Sequence, residues 1–500
     1  MRSKKALYNI TSSLILQIIV LISGFIVPKL IIKTFGSNVN GLTSSINQFL
    51  SYIALLESGV GPVARSALYK PLAKKNNQEI KNILKASEKF FRTIAIIFLV
   101  YLIGLSIIYP FIVISEFGYL YTMSLVLIIS ISTFAEYYFG MAYRLFLQAN
   151  GKTYITSIIQ IITYILNVIL IIVLVKLKVS IQVVKLVSCL TFVLRPILQN
   201  IYVRKKYDIN LKDADKNYKL EQKWDGLAQH IAAVVHNNTD ITVLTIFSKL
   251  TEVSVYSVYH MVAKGIKSIV SAFTGGIDAS FGDMIAKEEN EKLNKTFKIY
   301  ELFYYTVATI FYVCTIILIM PFIKVYTKDI TDVNYIRPLF GYLLVISEFI
   351  YAIRLPYSLV TLAAGHFKQT KKGAYVEALA NIIISVILVI KFGIVGVAIG
   401  TLISILIRTL EFIYHTNKYI LKRNILESVK IISTITFEFI VIVLLFNLKT
   451  FMNINSYSTW LLYSIIVFLI TSLIIIIINY IFYKDEFKGV LNLLKRIKKH

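Results

Sequence analysis

The sequence predicts an all-α polytopic membrane protein with about fourteen transmembrane helices. Three observations carry that reading. The chain is 57% hydrophobic and only 16% charged, whereas soluble domains are less apolar and about a quarter charged. Apolar windows of about 20 residues, the length that crosses a bilayer core, recur along all of it. Lys and Arg concentrate in alternate short loops, as the positive-inside rule expects.

The spans follow in order. The opening MRSKKALYNITSSLILQIIVLISGF has a basic tip and an apolar run too long for a signal peptide, and it has no small-x-small cleavage site, so it reads as the first span, 9–33. The next five are 41–69, 92–114, 118–147, 153–176 and 180–203, with Pro62 expected to kink the second. The charged stretch 208–223 has no core of its own and reads as a linker. Six more spans follow at 225–248, 253–285, 299–323, 335–364, 374–391 and 394–420, then two at 428–448 and 458–483. The tail 484–500 places Phe487, Val490, Leu491, Leu494 and Ile497 on one helical face with Lys on the other, the pattern of a basic interfacial helix. One set of loops holds roughly 35 Lys plus Arg and the other roughly 8, so the first set is cytoplasmic, and an even number of spans puts both termini inside.

A repeat organises the spans. LAKKNNQEIKN resembles IAKEENEKLNK at an offset of 213. Gly151 matches Gly365 and Asn167 matches Asn381 at 214; Gln17 matches Gln229 and Phe35 matches Phe247 at 212. The offset equals six spans, so the expected domains are an N-lobe, 1–207, and a parallel C-lobe, 224–426, with 427–483 as two additional spans. A substrate path is expected near mid-membrane between such lobes.

Polar side chains inside spans face a bundle interior or a wet cavity. In span 8, Tyr256, His260, Lys264, Lys267, Ser271, Thr274 and Asp278 follow helical steps of three and four, with both lysines too deep to snorkel easily. Span 2 carries Asn47, Ser51, Ser58, Gly61 and Arg65 on one stripe, and span 1 carries Ser13, Gln17, Gly24 and Pro28. In span 7, the knot His236, Asn237, Asn238, Thr239 and Asp240 interrupts a greasy helix, with Gln229, Ala233, His236 and Asp240 on one face. A dry alternative exists for Asn237 and Thr239, as hydrogen bonds between helices. For Arg144 and Arg195 snorkelling is the favoured reading, and for Arg408 and Glu411 mutual pairing.

Other chemistry is weakly signalled. A net charge of +26 suits nucleic acid in a soluble chain, but here it follows membrane topology. Cys189 and Cys314 lie far apart inside apolar windows and imply no disulfide or metal site. Asp213 and Asp215 imitate a metal–nucleotide-sugar motif but stand in a short basic linker, and Gly59–Ala64 lacks the strand a dinucleotide turn needs. No Walker motif or nucleophile–base pair stands out, so the chain is not read as an enzyme and needs no cofactor.

Two six-span lobes plus two spans, with segments such as FGSNVNGLTSSINQFLSYIALLESGVGPVARSALYKPLAKKN, NNTDITVLTIFSKLTEVSVYSVYHMV and ASFGDMIAKEE, resemble the multidrug/oligosaccharidyl-lipid/polysaccharide exporter superfamily, in its polysaccharide-transport branch. The resemblance implies a V-shaped fold, alternating access and a cationic cavity in a bacterial plasma-membrane flippase for undecaprenyl-pyrophosphate oligosaccharide, working beside glycosyltransferases and a polysaccharide polymerase. Under it, Arg65, Lys264 and Lys267 meet the pyrophosphate, and Asn47, Ser51, Tyr256, His260 and Asn237 meet the sugars. The additional spans would build a groove for the lipid tail, as in the related lipid II flippases. A sodium or proton gradient would act through Asp240, Glu377, Asn381 and Thr401, with His236 favouring a proton. The rival readings are a drug/cation antiporter of the same superfamily and a membrane-embedded glycosyltransferase or polysaccharide polymerase.

Overall fold

The protein is described from a computed structural model, over residues 2–57, 60–207, 214–215, 218, 238–274, 277–446 and 454–497, with the side chains of 2–7, 60, 62, 278–279 and 492–497 left aside. The described residues are helical and contain no strand. In hydrocarbon a helix satisfies every backbone polar group within its own segment, which is why Ile- and Val-rich runs with poor intrinsic helix propensity still form helices here. Eleven helices among the described residues are long and apolar enough to cross a membrane.

The first unit, Met1–Ser254, begins with α1 (Arg2–Phe35). Span 2 is broken into α2 (Ser37–Ser51), the single turn α3 (Ala54–Glu57) and α4 (Val60–Lys74). The break at 52–53 precedes the expected kink at Pro62. The long helices α5 (Asn77–Ile112), α6 (Tyr119–Ala149), α7 (Thr153–Lys176) and α8 (Ile181–Tyr207) follow. Asn76 caps α5 by accepting a hydrogen bond from the Glu79 amide at 3.2 Å. A π-helical turn over Glu136–Gly140 widens α6 where Gly140 meets Pro196 of α8; a β-carbon there would lie 2.5 Å from the proline Cβ.

Helix α9 is described over 238–247. It docks on α2 through Ser45–Thr245 at 2.7 Å and Asn40–Ser254 at 2.8 Å, and the Leu250 amide donates to Glu116. Gly41 is needed there, because a β-carbon would sit 1.8 Å from the Leu250 carbonyl oxygen. The division between units therefore falls at Ser254, within α10 (Leu250–Ala272), and does not coincide with the 208–223 linker.

The second unit, Val255–His500, continues with α11 (Ile277–Ala286), α12 (Asn290–Tyr326), α13 (Pro338–Ala363), α14 (Lys371–Phe392) and α15 (Ile394–Leu421). The additional spans are α16 (Ile425–Leu445) and α17 (Tyr457–Phe482). The tail forms α18 (Lys484–Ile497), whose Gly489 packs on Ile299 of α12, so this amphipathic helix rests partly on its own protein. The span 8 stripe is not carried by one helix: α10 ends at Ala272, Thr274 lies in the turn after it, and α11 begins at Ile277.

The repeat is visible in backbone detail. Lys75 and Glu288, 213 apart, both adopt positive φ (54° and 55°) in the turns before α5 and α12. Gly151 and Gly365, 214 apart, do the same (64° and 73°) after α6 and α13, where a left-handed residue ends the helix. Cys189 and Cys314 are buried free thiols.

Candidate functional site

Within the first unit, α1, α2, α6, α7 and α8 enclose a cavity of about 330 Å³. Asn47, Ser132, Tyr164, Asn167, Lys185 and Ser188 supply its polar lining. The span 1 residues Gly24 and Pro28 also line it and meet Asn47 of span 2 there, in a cavity inside the first unit. Asn47 donates its own amide to the Thr43 carbonyl at 2.8 Å, leaving its oxygen free to accept. Asn167 is buried, and its Oδ1 has no partner.

Lys185 was not singled out by sequence, because a lone lysine near a span end resembles a snorkelling one. Among the described residues no carboxylate pairs with it. Three described acids of the unit are engaged elsewhere: Glu57 accepts from Tyr137 at 2.7 Å, Glu88 pairs with Arg92 at 2.8 Å, and Glu136 pairs with Arg144. Arg144 therefore does not snorkel but sits between Glu136 and Glu57. Arg195, one helix face away, donates Nε to Thr163 at 2.7 Å and lies over the rings of Phe192 and Tyr164 at 4.1 and 4.3 Å; its Nη2 is buried without a partner. Two cations thus stand in or beside a polar cavity within apolar helices, and neither forms a salt bridge with a described carboxylate.

The repeat-related positions in the second unit show what the first unit lacks. Arg195 corresponds to Arg408 and Thr163 to Glu377. There the arginine finds an acid: Glu377 receives Arg354 at 2.6 Å and Arg408 at 3.6 Å, and Arg408 also binds Glu411 and the Thr370 carbonyl. The matching helix pair of the second unit is closely packed. Gly396 and Gly400 let α15 lie directly on α14, where added β-carbons would fall 2.3 Å from the Leu388 carbonyl oxygen and 2.2 Å from Ser385 Oγ. The first repeat has Val183 and Val187 at those positions, and α7 and α8 leave room between them.

This geometry corrects two expectations. Lys267 is not a free cation: it pairs with Glu348 at 3.1 Å and lies 3.7 Å over the Tyr351 ring. Lys267, Glu348, Arg354, Glu377, Arg408 and Glu411 form a buried ladder of three positive and three negative charges. Glu377 is likewise not available as a cation ligand, since its two oxygens face two guanidiniums that a sodium ion would have to displace. Asn381 and Thr401 do meet, at 3.1 Å, and Ser404 joins them, with Asn381 Oδ1 buried and unpartnered.

The remaining predicted residues divide by accessibility. Arg65 and Lys264 are exposed, and no described residue pairs with them. Ser51 donates to the Gln48 carbonyl at 2.6 Å and also bonds Asn238, while Tyr52 holds Asn238 and Thr242. The described part of the span 7 knot thus docks helix on helix, with Asp240 buried beside it. Tyr256 is buried and stacks on His260 at 5.5 Å. His236, Asn237 and Asp213 lie outside the described residues; Asp215 is tied through its amide to Asn82 at 2.8 Å.

The fold and these sites define a multi-pass helical membrane protein built from a duplicated six-span unit with two spans added. No family model matches the chain, and no curated protein matches it. Solved structures do. The lipid II flippase MurJ in an inward closed conformation is similar over 96% of this chain and 99% of its own, with TM-score 0.67 and 18% identity. The eukaryotic MATE transporter AtDTX14 is similar over 85% of this chain and 98% of its own, with TM-score 0.56 and 13% identity. An inward-facing multidrug resistance MATE family transporter of the MOP superfamily gives 0.53 and 15%, over 86% of this chain and 95% of its own. The chain shares its fold with this lipid II flippase and these MATE transporters.

Proposed function

We propose that the protein is a flippase of the bacterial plasma membrane, with both termini cytoplasmic. It moves undecaprenyl-pyrophosphate-linked oligosaccharide from the inner to the outer leaflet for polysaccharide biosynthesis, beside glycosyltransferases and a polymerase. The observation that carries this reading is the first-unit cavity with Lys185 uncompensated. A cation held at bilayer depth without a carboxylate is costly unless an anion comes to it. The pyrophosphate supplies the anion, and the attached sugar supplies hydroxyls for Asn167, Asn47 and Ser188. Exposed Arg65 in the first unit and Lys264 in the second are further cations with which the charged headgroup can pair. A sodium or proton gradient drives the cycle.

Binding of undecaprenyl-pyrophosphate disaccharide to the purified protein, followed by native mass spectrometry, tests the reading. Lys185→Ala is expected to weaken binding about tenfold or more, the loss of one charge-assisted contact. Equal affinity for both proteins, with preferential capture of a lipophilic organic cation, would instead favour the drug-antiporter reading.

A further inference from the structure

The two additional spans carry a polar feature that lies outside both sites described so far. Glu438 of α16 is fully buried, and neither carboxylate oxygen has a hydrogen-bond partner. Its surroundings on α16 are apolar: Ile435 and Ile442 are fully buried, and Phe439 stacks on Phe349 of α13 at 4.7 Å. An ionised carboxylate is strongly disfavoured in such a seam.

The facing helix offers it one kind of group. Thr434, one turn before Glu438, meets the Tyr483 hydroxyl at 2.9 Å. Helices α16 and α17 run antiparallel, so Asn479, one turn before Tyr483, falls at the level of Glu438. Asn479 is fully buried and donates to Thr306 of α12 at 3.1 Å, while its Oδ1 is buried without a partner. The seam therefore holds three unpartnered oxygens, two on Glu438 and one on Asn479, and lacks a donor. One proton on Glu438 removes the charge and supplies an O–H for the Asn479 oxygen. A hard metal cation needs about six oxygen ligands, more than this seam presents.

We propose that Glu438, with Asn479 held by Thr306, forms a proton-binding site in the additional helix pair. The other titratable groups around the seam are already committed. On α12, Glu301 is held by Arg423 at 3.1 Å and by the Tyr357 hydroxyl, and Lys298 pairs with Glu427 of α16 at 2.8 Å. On α13, Glu348 is held by Lys267. After α17, Tyr483 is bonded to Thr434, and Glu486 lies on α18 beyond it. No described base is paired with Glu438, so the proton can leave only to water admitted to the seam.

The test is infrared spectroscopy of the protein in lipid bilayers, which requires no transport and so does not depend on the flippase reading. A protonated-carboxyl carbonyl band is expected at neutral pH, shifted in deuterium oxide and missing from Glu438→Gln, which keeps the shape and the neutrality of the side chain. Asn479→Leu keeps the carboxyl but removes its acceptor, so the band should persist and move to higher frequency. A wild-type spectrum without the band at neutral pH would overturn the proposal. Loss of the band on adding sodium at constant pH would also overturn it, by showing a cation site. Should Glu438→Gln fail to fold, the Asn479→Leu shift decides alone.

Discussion

At the scale of single residues, Lys185 and Asn167 separate this cavity from an ordinary packing defect. Both line it, one as an unpaired cation and the other as an unpartnered amide oxygen. Asn167→Asp changes almost no volume but places a carboxylate beside Lys185. The protein would then compensate its own cation, and lipid-linked oligosaccharide should bind at least about tenfold more weakly than to Asn167→Ala. Titration of both variants with the lipid-linked substrate checks the order. The sequence showed the polar stripes that meet here, Gly24, Pro28 and Asn47, because steps of three and four survive into real helix faces. It did not show Lys185, Arg195 or Glu438 as a group apart from other intramembrane charges. What distinguishes them is the absence of a partner, and pairing depends on neighbouring helices rather than on position along one helix.

At the scale of elements, one substitution pattern makes the two repeats unequal. Glycines at 396 and 400 close the α14–α15 seam, and the first repeat has valines, 183 and 187, at the matching positions. Gly400→Leu forces a large side chain into Ser385 and should lower the melting temperature in detergent by several degrees, whereas Val187→Leu should be nearly neutral. Glu377→Gln leaves Arg354 and Arg408 buried beside a neutral amide, and breaking such a pair costs about 3–5 kcal/mol. Thermal unfolding of Glu377→Gln against Glu411→Gln checks this, with the greater loss expected at Glu377, whose side chain is 9% exposed against 29% for Glu411. Element count was largely legible from hydropathy. The breaks in spans 2 and 8 were not, since the helices stop at 52–53 and after Ala272, ahead of Pro62 and with no proline at the second site. A window average over about 20 residues cannot see a break of two to four residues. The spans that escape a plain hydropathy criterion among the described residues include these two, and they carry Asn47 and Lys264.

At the scale of the whole molecule, the 213-residue repeat announced a duplicated architecture, and the paired left-handed turns at Lys75 and Glu288 repeat it in the backbone. The fold shared with a lipid II flippase and with MATE transporters leaves substrate class to the chemistry of the sites, because one fold serves more than one cargo. The charge ladder of the second unit is internally neutral, so it stabilises that unit without attracting an anion. The first-unit cavity holds Lys185, a cation with no carboxylate partner among the described residues. The most direct test is therefore transport itself: proteoliposomes loaded with undecaprenyl-pyrophosphate oligosaccharide, with appearance of the sugar at the far leaflet read by an impermeant lectin. The account predicts flipping by the wild type, at least about a tenfold slower rate for Lys185→Ala, and recovery in Lys185→Arg. Unchanged flipping in Lys185→Ala, or a wild type that moves organic cations and no lipid-linked sugar, would contradict it.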